Sequence, residues 1–247
     1  LAEMGAFPIL LDLSKKDLIT SSEYLISKGY KSDFFELDIT NKSSIHSVID
    51  SIESKYTKID VLINAVAFAM KNLKKGGKNF FAPFEDYEKD LWEVSLNVNL
   101  TGTFLITQSV GKIMKRDGKG VIINIASDVG VISPDHRIYK PNKKYDYKGV
   151  DFNTPISYSV TKSGILSFTR YLATYWASDG IRVNSLSPAG VFRNQEKKFV
   201  EQLSNLIPLG RMAFVDELKG PIVFLASDAS SFMTGGNLII DGGRTIW

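Results

Sequence analysis

The chain of 247 residues has no cysteine, and its two histidines, His46 and His136, lie far apart in sequence. Disulfides, thiolate metal sites and a cysteine nucleophile are therefore excluded, and a histidine metal site would need carboxylates to complete it. No apolar run approaches the roughly 18 residues of a membrane span, and no basic-then-apolar leader opens the chain. The formal net charge is only +3, with the lysines scattered. That gives no electrostatic footprint for nucleic acid. No Gly-x-Gly-x-x-Gly occurs anywhere, and the first residue is Leu1 rather than Met. Internal repeats and low-complexity linkers are missing too. The expectation is a soluble, cytoplasmic protein of one domain, with no metal, membrane or nucleic-acid partner.

What is present is an ordinary globular composition, 44% hydrophobic and 23% charged, long enough to bury a sizeable core. Short runs rich in β-branched residues recur at 7–13, 33–39, 60–67, 120–127, 181–187 and 237–243, and read as strands buried on both faces. Helical patterns lie at 42–56, 88–117, 156–178, 196–205 and 214–227. Gly118 and Gly180 follow two of them as left-handed stops. Such alternation predicts an α/β fold, a doubly wound parallel sheet with helices on both faces. Ligands in such sheets sit beyond the C-terminal strand ends. There the sequence places Asp12, Asp38, Asn64, Ser127 and the segment Ser187-Pro188-Ala189-Gly190.

The opening "LAEMGAFPILLDLS" reads as a last helical turn, a stop at Gly5 and a strand ending in an acid. That is the second half of a nucleotide-binding βαβ unit; the strand and Gly-rich turn of the first half are missing. The expectation is that about 20–25 residues precede Leu1 in the functional protein. The missing strand would lie mid-sheet, and its loss would leave two strands with unpaired backbone groups. Asp12 is then the acid that accepts hydrogen bonds from an adenosine ribose, which favours NAD over NADP. Lys15 and Lys16 are placed to hold a 2′-phosphate, so NADP stays open.

Tyr-x-x-x-Lys occurs three times, at Tyr24/Lys28, Tyr139/Lys143 and Tyr158/Lys162. Only the last opens a long helix pattern after a strand ending in serine. Positions four apart share a helix face, so Lys162 lies one turn from the phenol. A nearby cation favours the phenolate. Bringing a phenol from a pKa of about 10 to about 7 needs ~4 kcal/mol of differential stabilisation.

With these pieces ordered, the chain resembles the short-chain dehydrogenase/reductase family along its whole length. The resemblance is carried by "ELDIT" with Asp38 and Ile39, "DVLINAVA" with Asn64, "NVNLTGTF" with Asn99, "INIAS" with Ser127, "YSVTK", and "NSLSPAGV" with Pro188, Gly190 and Val191. In "DVLINAVA" the family's Asn-Asn-Ala-Gly survives only at Asn64. The resemblance implies that Tyr158 exchanges a proton with the substrate oxygen while hydride moves to or from the nicotinamide. Ser127 hydrogen-bonds that oxygen, Lys162 holds the nicotinamide ribose and tunes Tyr158, and Asn99 positions a water that relays protons to Lys162. Asp38 and Ile39 would flank the adenine, and Pro188, Gly190 and Val191 the nicotinamide.

Thirty residues separate Ser127 from Tyr158, where ordinary family members have about a dozen. This insertion carries His136, Arg137, Lys140, Lys143, Lys144 and Lys148 among Tyr139, Tyr145, Tyr147 and Phe152. Cations beside aromatic faces suit a carbohydrate ring or sugar phosphate, and a solvated basic loop is the other reading. "SPDHRIY", "RYLATYWA", "RNQEKKFVEQL", "PLGRM" and "DGGRTIW" resemble dehydrogenases of flagellin modification and surface-polysaccharide pathways, implying a sugar or sugar-phosphate substrate. The family also implies a homotetramer or homodimer, burying the outer faces of helices 88–117 and 156–178. A 3-oxoacyl thioester reductase and a non-catalytic dinucleotide-binding scaffold are the competing readings.

Overall fold

The computed structural model describes residues 1–68, 80–139 and 153–247, apart from the side chain of Tyr139. Its strands are β1 (Ile9–Asp12), β2 (Asp33–Glu36), β3 (Val61–Asn64), β4 (Gly120–Ile125), β5 (Ile181–Pro188) and β6 (Asn237–Ile240). All ladders are parallel. β1 pairs with β2, and a separate four-stranded sheet runs β3-β4-β5-β6. No ladder among the described residues joins β1 to β3.

The α-helices are α1 (Lys15–Ser27), α2 (Lys42–Tyr56), α3 (Lys89–Leu96), α4 (Thr103–Asp117), α5 (Ile156–Tyr175), α6 (Lys197–Ser204) and α7 (Lys219–Ala226). All six expected strands form, each shorter than its apolar run except β5, which gains Pro188. The helix over 88–117 is broken: a π-helical segment, Asn97–Gly102, separates α3 from α4. The pattern over 214–227 opens as a 3-10 turn, Val215–Leu218, before α7. α1 is absent from the sequence reading. Ser14 caps it by accepting from the Asp17 N–H at 3.3 Å, and it buries only Leu18 and Ser22.

Side chains alternate across a strand, and β4 shows what this does to the core. Ile122 faces a cluster with Ile45, Ile49, Ile106, Val110 and Met114 from α2 and α4. Val121 and Ile123 face the opposite side, against Leu225 of α7 and Leu186 of β5. A sheet covered on both faces needs strands apolar on both faces, hence "GVIINI". Gly118, at φ 65°, ends α4 in the left-handed region. Gly180 lies so close to it that an added Cβ would sit 2.2 Å from the Gly118 carbonyl oxygen. Among the described residues no helix is long and apolar enough to cross a membrane.

Candidate active site

The candidate residues lie at or just past the C-terminal strand ends, Asp12 and Asp38 on the two-stranded sheet and Asn64, Ser127 and Pro188 on the four-stranded one. Asp12 closes β1 and is exposed; its Oδ1 accepts the Ser14 N–H at 2.8 Å. Asp38, just past β2, accepts the Thr40 hydroxyl at 2.7 Å and its N–H at 2.9 Å. Those bonds, the hydroxyl's first, hold its carboxyl below the usual range against the opposing effect of burial. Ile39 packs against the main core, close enough to Gly102 that a Cβ there would lie 2.8 Å from its Cγ2.

Asn64 turns inward. Its amide donates to Thr107 Oγ1 at 2.9 Å and to Asn124 Oδ1 at 2.8 Å, and Asn124 donates on to Thr169 at 2.9 Å. Polar support of β3 and β4 thus comes from Thr107, Asn124 and Thr169, despite the departure at Ala65–Ala67.

Asn99 lies in the π-helical segment and is buried. A π-bulge shifts the helical register by one residue, and such segments are frequent at functional sites. Its Oδ1 accepts the Phe68 N–H, and its amide donates to Thr161 Oγ1 at 3.1 Å. Thr161 lies between Tyr158 and Lys162 on α5, so the bulge and α5 are tied at this point. The start of α5 is anchored by Ser157, whose hydroxyl bonds Tyr87 at 2.7 Å and Ser95 at 3.0 Å.

Lys162 is 4% exposed. Its ammonium donates to the Ile125 carbonyl at 2.7 Å and lies 5.7 Å from the centre of the Tyr158 ring. Burial pushes its pKa from the ordinary 10.5 down to about 8. Tyr158, one turn earlier, is half-buried. The other Tyr-Lys spacings differ. Tyr24 is 61% exposed on the surface of α1, and Lys143 lies outside the described residues.

Ser127 follows β4 and is buried; its hydroxyl donates to Asp128 Oδ1 at 2.8 Å. The loop after it lies directly on α5 because residue 130 is glycine. A Cβ there would sit 2.8 Å from the backbone carbonyl carbon and oxygen of Lys162, and Gly130 O accepts the Ser163 hydroxyl at 3.0 Å. Beyond β5, Ala189 N donates to Ile240 O at 3.0 Å and Ala213 N to Gly190 O at 3.0 Å. Val191 forms a bridge with Ala213. These bonds hold the Pro188–Val191 loop beside β6.

A cavity of about 660 Å³ lies beside this centre, lined among others by Glu85, Val129, Ser133, His136, Asn153 and Ser159. Its walls include the described start of the insertion and the flank of α5. Neither Ser127 nor Tyr158 lines it. Most of the insertion's lysines and aromatics fall within 140–152, outside the described residues, and Arg137 is fixed on Asp135 by bonds of 2.6–3.1 Å. The sequence reading passed over Thr161, Asp128 and Arg244. Only the acid directly after Ser127 and the arginine in "DGGRTIW" offered a signal.

A family model described as short chain dehydrogenase matches residues 1–140, and one described as Enoyl-(Acyl carrier protein) reductase matches 146–245. An NAD-dependent glycerol dehydrogenase of Listeria innocua is 33% identical over 250 residues, 99% of this chain and 86% of that protein. A D-threitol dehydrogenase of Mycolicibacterium smegmatis is 32% identical, covering 86% of this chain and 73% of that one. Post-translational flagellin modification protein A of Campylobacter coli (32%, 95% and 87%) and the 3-oxoacyl-[acyl-carrier-protein] reductase FabG of Thermotoga maritima (31%, 99% and 90%) match as well. Among solved structures, a short chain dehydrogenase of Leptospira borgpetersenii with bound NAD+ superposes with a TM-score of 0.79 at 34% identity, covering 97% of this chain and 93% of that one. The short chain dehydrogenase match over residues 1–140 and the relatives above 30% identity show that the chain belongs to the short-chain dehydrogenase family.

Proposed function

We propose that the chain is an NAD-dependent dehydrogenase oxidising a secondary hydroxyl of a polyol or sugar, with Tyr158 as general base. The observation that carries this reading is the buried Lys162 ammonium beneath the Tyr158 ring, on the helix tied to Asn99 through Thr161. The strand ends offer residues for the adenosine and nicotinamide ends of a nicotinamide dinucleotide, while the Gly-rich turn that would hold its pyrophosphate is not in this sequence. Asp12 offers an exposed carboxylate for a ribose diol, Asp38 and Ile39 flank the next strand end, and Pro188, Gly190 and Val191 form a fixed loop opposite. Asn64 spends its amide inside the core, so it acts as a strut, and a cofactor contact there falls to its backbone. When bound, the cofactor supplies the hydride acceptor.

The chain's own residues handle the proton and the oxygen. The Tyr158 phenolate oxygen takes the hydroxyl proton of the substrate as the carbon gives up its hydride. The Ser127 hydroxyl, whose single proton is donated to Asp128 Oδ1 before substrate arrives, turns that proton to the same oxygen and holds it in line while its Oγ stays in place. Lys162, with a pKa of about 8, is largely protonated at neutral pH. It favours the phenolate electrostatically and is poised to exchange a proton. Asn99, fixed by Thr161, positions the relay water. Asp12 favours NAD, whereas Lys15 and Lys16 in the first turn of α1 would serve a 2′-phosphate.

The names of the glycerol and threitol relatives support the polyol class. The flagellin-modification relative supports a finer reading, a sugar or sugar phosphate of a surface-glycan pathway. The FabG relative keeps a 3-oxoacyl thioester reductase as the second reading. A homodimer or homotetramer would cover Phe104 of α4 and Val160, Tyr171 and Tyr175 of α5, all exposed, and light scattering would report it. A screen of glycerol, D-threitol, other alditols, sugars and sugar phosphates with NAD+, against acetoacetyl thioester with NADPH, tests the function. Turnover of hydroxyl substrates supports it, thioester turnover alone favours the second reading, and cofactor binding without any turnover favours a scaffold.

A further inference from the structure

We propose that Arg244 and Asp128 are positioning residues, a buried ion pair through which the C-terminal segment fixes the hydroxyl of Ser127. Asp128 is 3% exposed and Arg244 7%, 116 positions apart in sequence. Arg244 Nη1 donates to Asp128 Oδ2. The other carboxylate oxygen, Oδ1, accepts the Ser127 hydroxyl and the Val129 N–H, each at 2.8 Å. The guanidinium therefore sets which oxygen faces the serine, and the Val129 bond sets the plane; together they place Ser127 Oγ. The Arg244 charge also weakens the carboxylate's hold on the single hydroxyl proton, so that it can turn to the substrate oxygen.

Arg244 is itself held. Asp241 accepts the Gly243 N–H at 2.8 Å and the Thr245 N–H at 2.7 Å, folding the chain after β6 into a tight turn. Trp247 Nε1 donates to the Leu206 carbonyl at 3.0 Å and fastens the end. The arginine's charge also reaches Asp135. That carboxyl is held down at about 2, chiefly by its hydrogen bonds to Arg137 and least by the charge of Arg244. Charges thus alternate from exposed Arg137 through Asp135 and Arg244 to Asp128, which holds the serine.

Removing one partner of a buried pair leaves an uncompensated charge. Without Arg244 the Asp128 carboxylate would swing toward water and the Ser127 oxygen would leave its place. The inference rests on the proposed role of Ser127 at the substrate oxygen, and a double-mutant cycle tests the link. With NAD+ and the best hydroxyl substrate from the screen, Arg244→Met should lower kcat about tenfold or more, leaving KM for NAD+ within about twofold. Arg244→Lys should retain a larger share of kcat. In a Ser127→Ala background, Arg244→Met should change kcat less than about twofold. A loss that multiplies undiminished in that background overturns the proposal. If Arg244→Met does not fold, Arg244→Lys carries the same cycle, its smaller loss again vanishing without the serine. A crystal structure of the Arg244 variant needs no substrate: a displaced Ser127 hydroxyl supports the clamp, and an unmoved Ser127 on an unmoved Asp128 overturns it. Lack of any turnover by the wild type would instead count against the proposed function, with the crystal structure still deciding the clamp.

Discussion

Raising the pH from about 8 to about 10.5 is expected to stabilise the folded protein through Lys162, and replacing that lysine with methionine should remove the effect. Burial lowers its pKa from 10.5 to about 8, so below pH 8 the side chain is an ammonium in both folded and unfolded chains. There the folded state bears the full cost of a charge that is 4% exposed. Between the two values the unfolded chain binds more protons than the folded one, so stability rises with pH and levels off above 10.5. The gap corresponds to about 3 kcal/mol, at about 1.36 kcal/mol per tenfold change in proton activity. Lys162→Met also loses the bond to the Ile125 carbonyl, a cost of about 1–3 kcal/mol for a buried acceptor left unpaired. To first order that loss is the same at every pH and cancels in the comparison. Urea unfolding at a series of pH values, with both proteins in a Tyr158→Phe background to remove the neighbouring phenol, isolates the lysine. The stability difference between the two should change by about 3 kcal/mol across the window. Parallel curves would refute the claim that this ammonium is held at a cost in the folded state.

Two further outcomes follow from the same geometry. Gly130→Ala pushes a methyl against the Lys162 backbone, with contacts of 2.8 Å. It should cost about 1–3 kcal/mol of stability, as overpacking does, and lower kcat by shifting the Ser127 loop off α5; urea midpoints and initial rates measure both. Asp12→Ala removes the carboxylate proposed to hold the ribose. Loss of a charged hydrogen bond worth about 1.5–3 kcal/mol should reduce kcat/KM for NAD+ about 10–100-fold, with little change for NADP+. An unchanged NAD+ value would remove Asp12 from the cofactor site.

The sequence carried the layered fold because buried parallel strands advertise themselves as unbroken apolar runs, as in "GVIINI". Three features were hidden for physical reasons. α1 buries only Leu18 and Ser22, so its sequence shows little of the amphipathic period by which a helix is read. The π-helical break at Asn97–Gly102 sits inside a continuous helical pattern, and one extra residue per turn leaves no mark in composition. The Arg244–Asp128 pair joins positions that only the folded sheet brings together. Motif spacing marked Tyr158 and Lys162 as neighbours, and the structure puts the lysine under the ring. The bond from Asn99 to Thr161 and the inward turn of Asn64 could come only from coordinates.

The proton-transfer role of Tyr158 is tested most directly by removing its hydroxyl. Tyr158→Phe, measured by calorimetry with NAD+ and by steady-state turnover of the preferred hydroxyl substrate, should bind the cofactor within a few-fold of wild type. Its turnover should fall by about 10²-fold or more, the scale of a lost general base. Turnover close to wild type in a well-folded Tyr158→Phe protein would contradict the account.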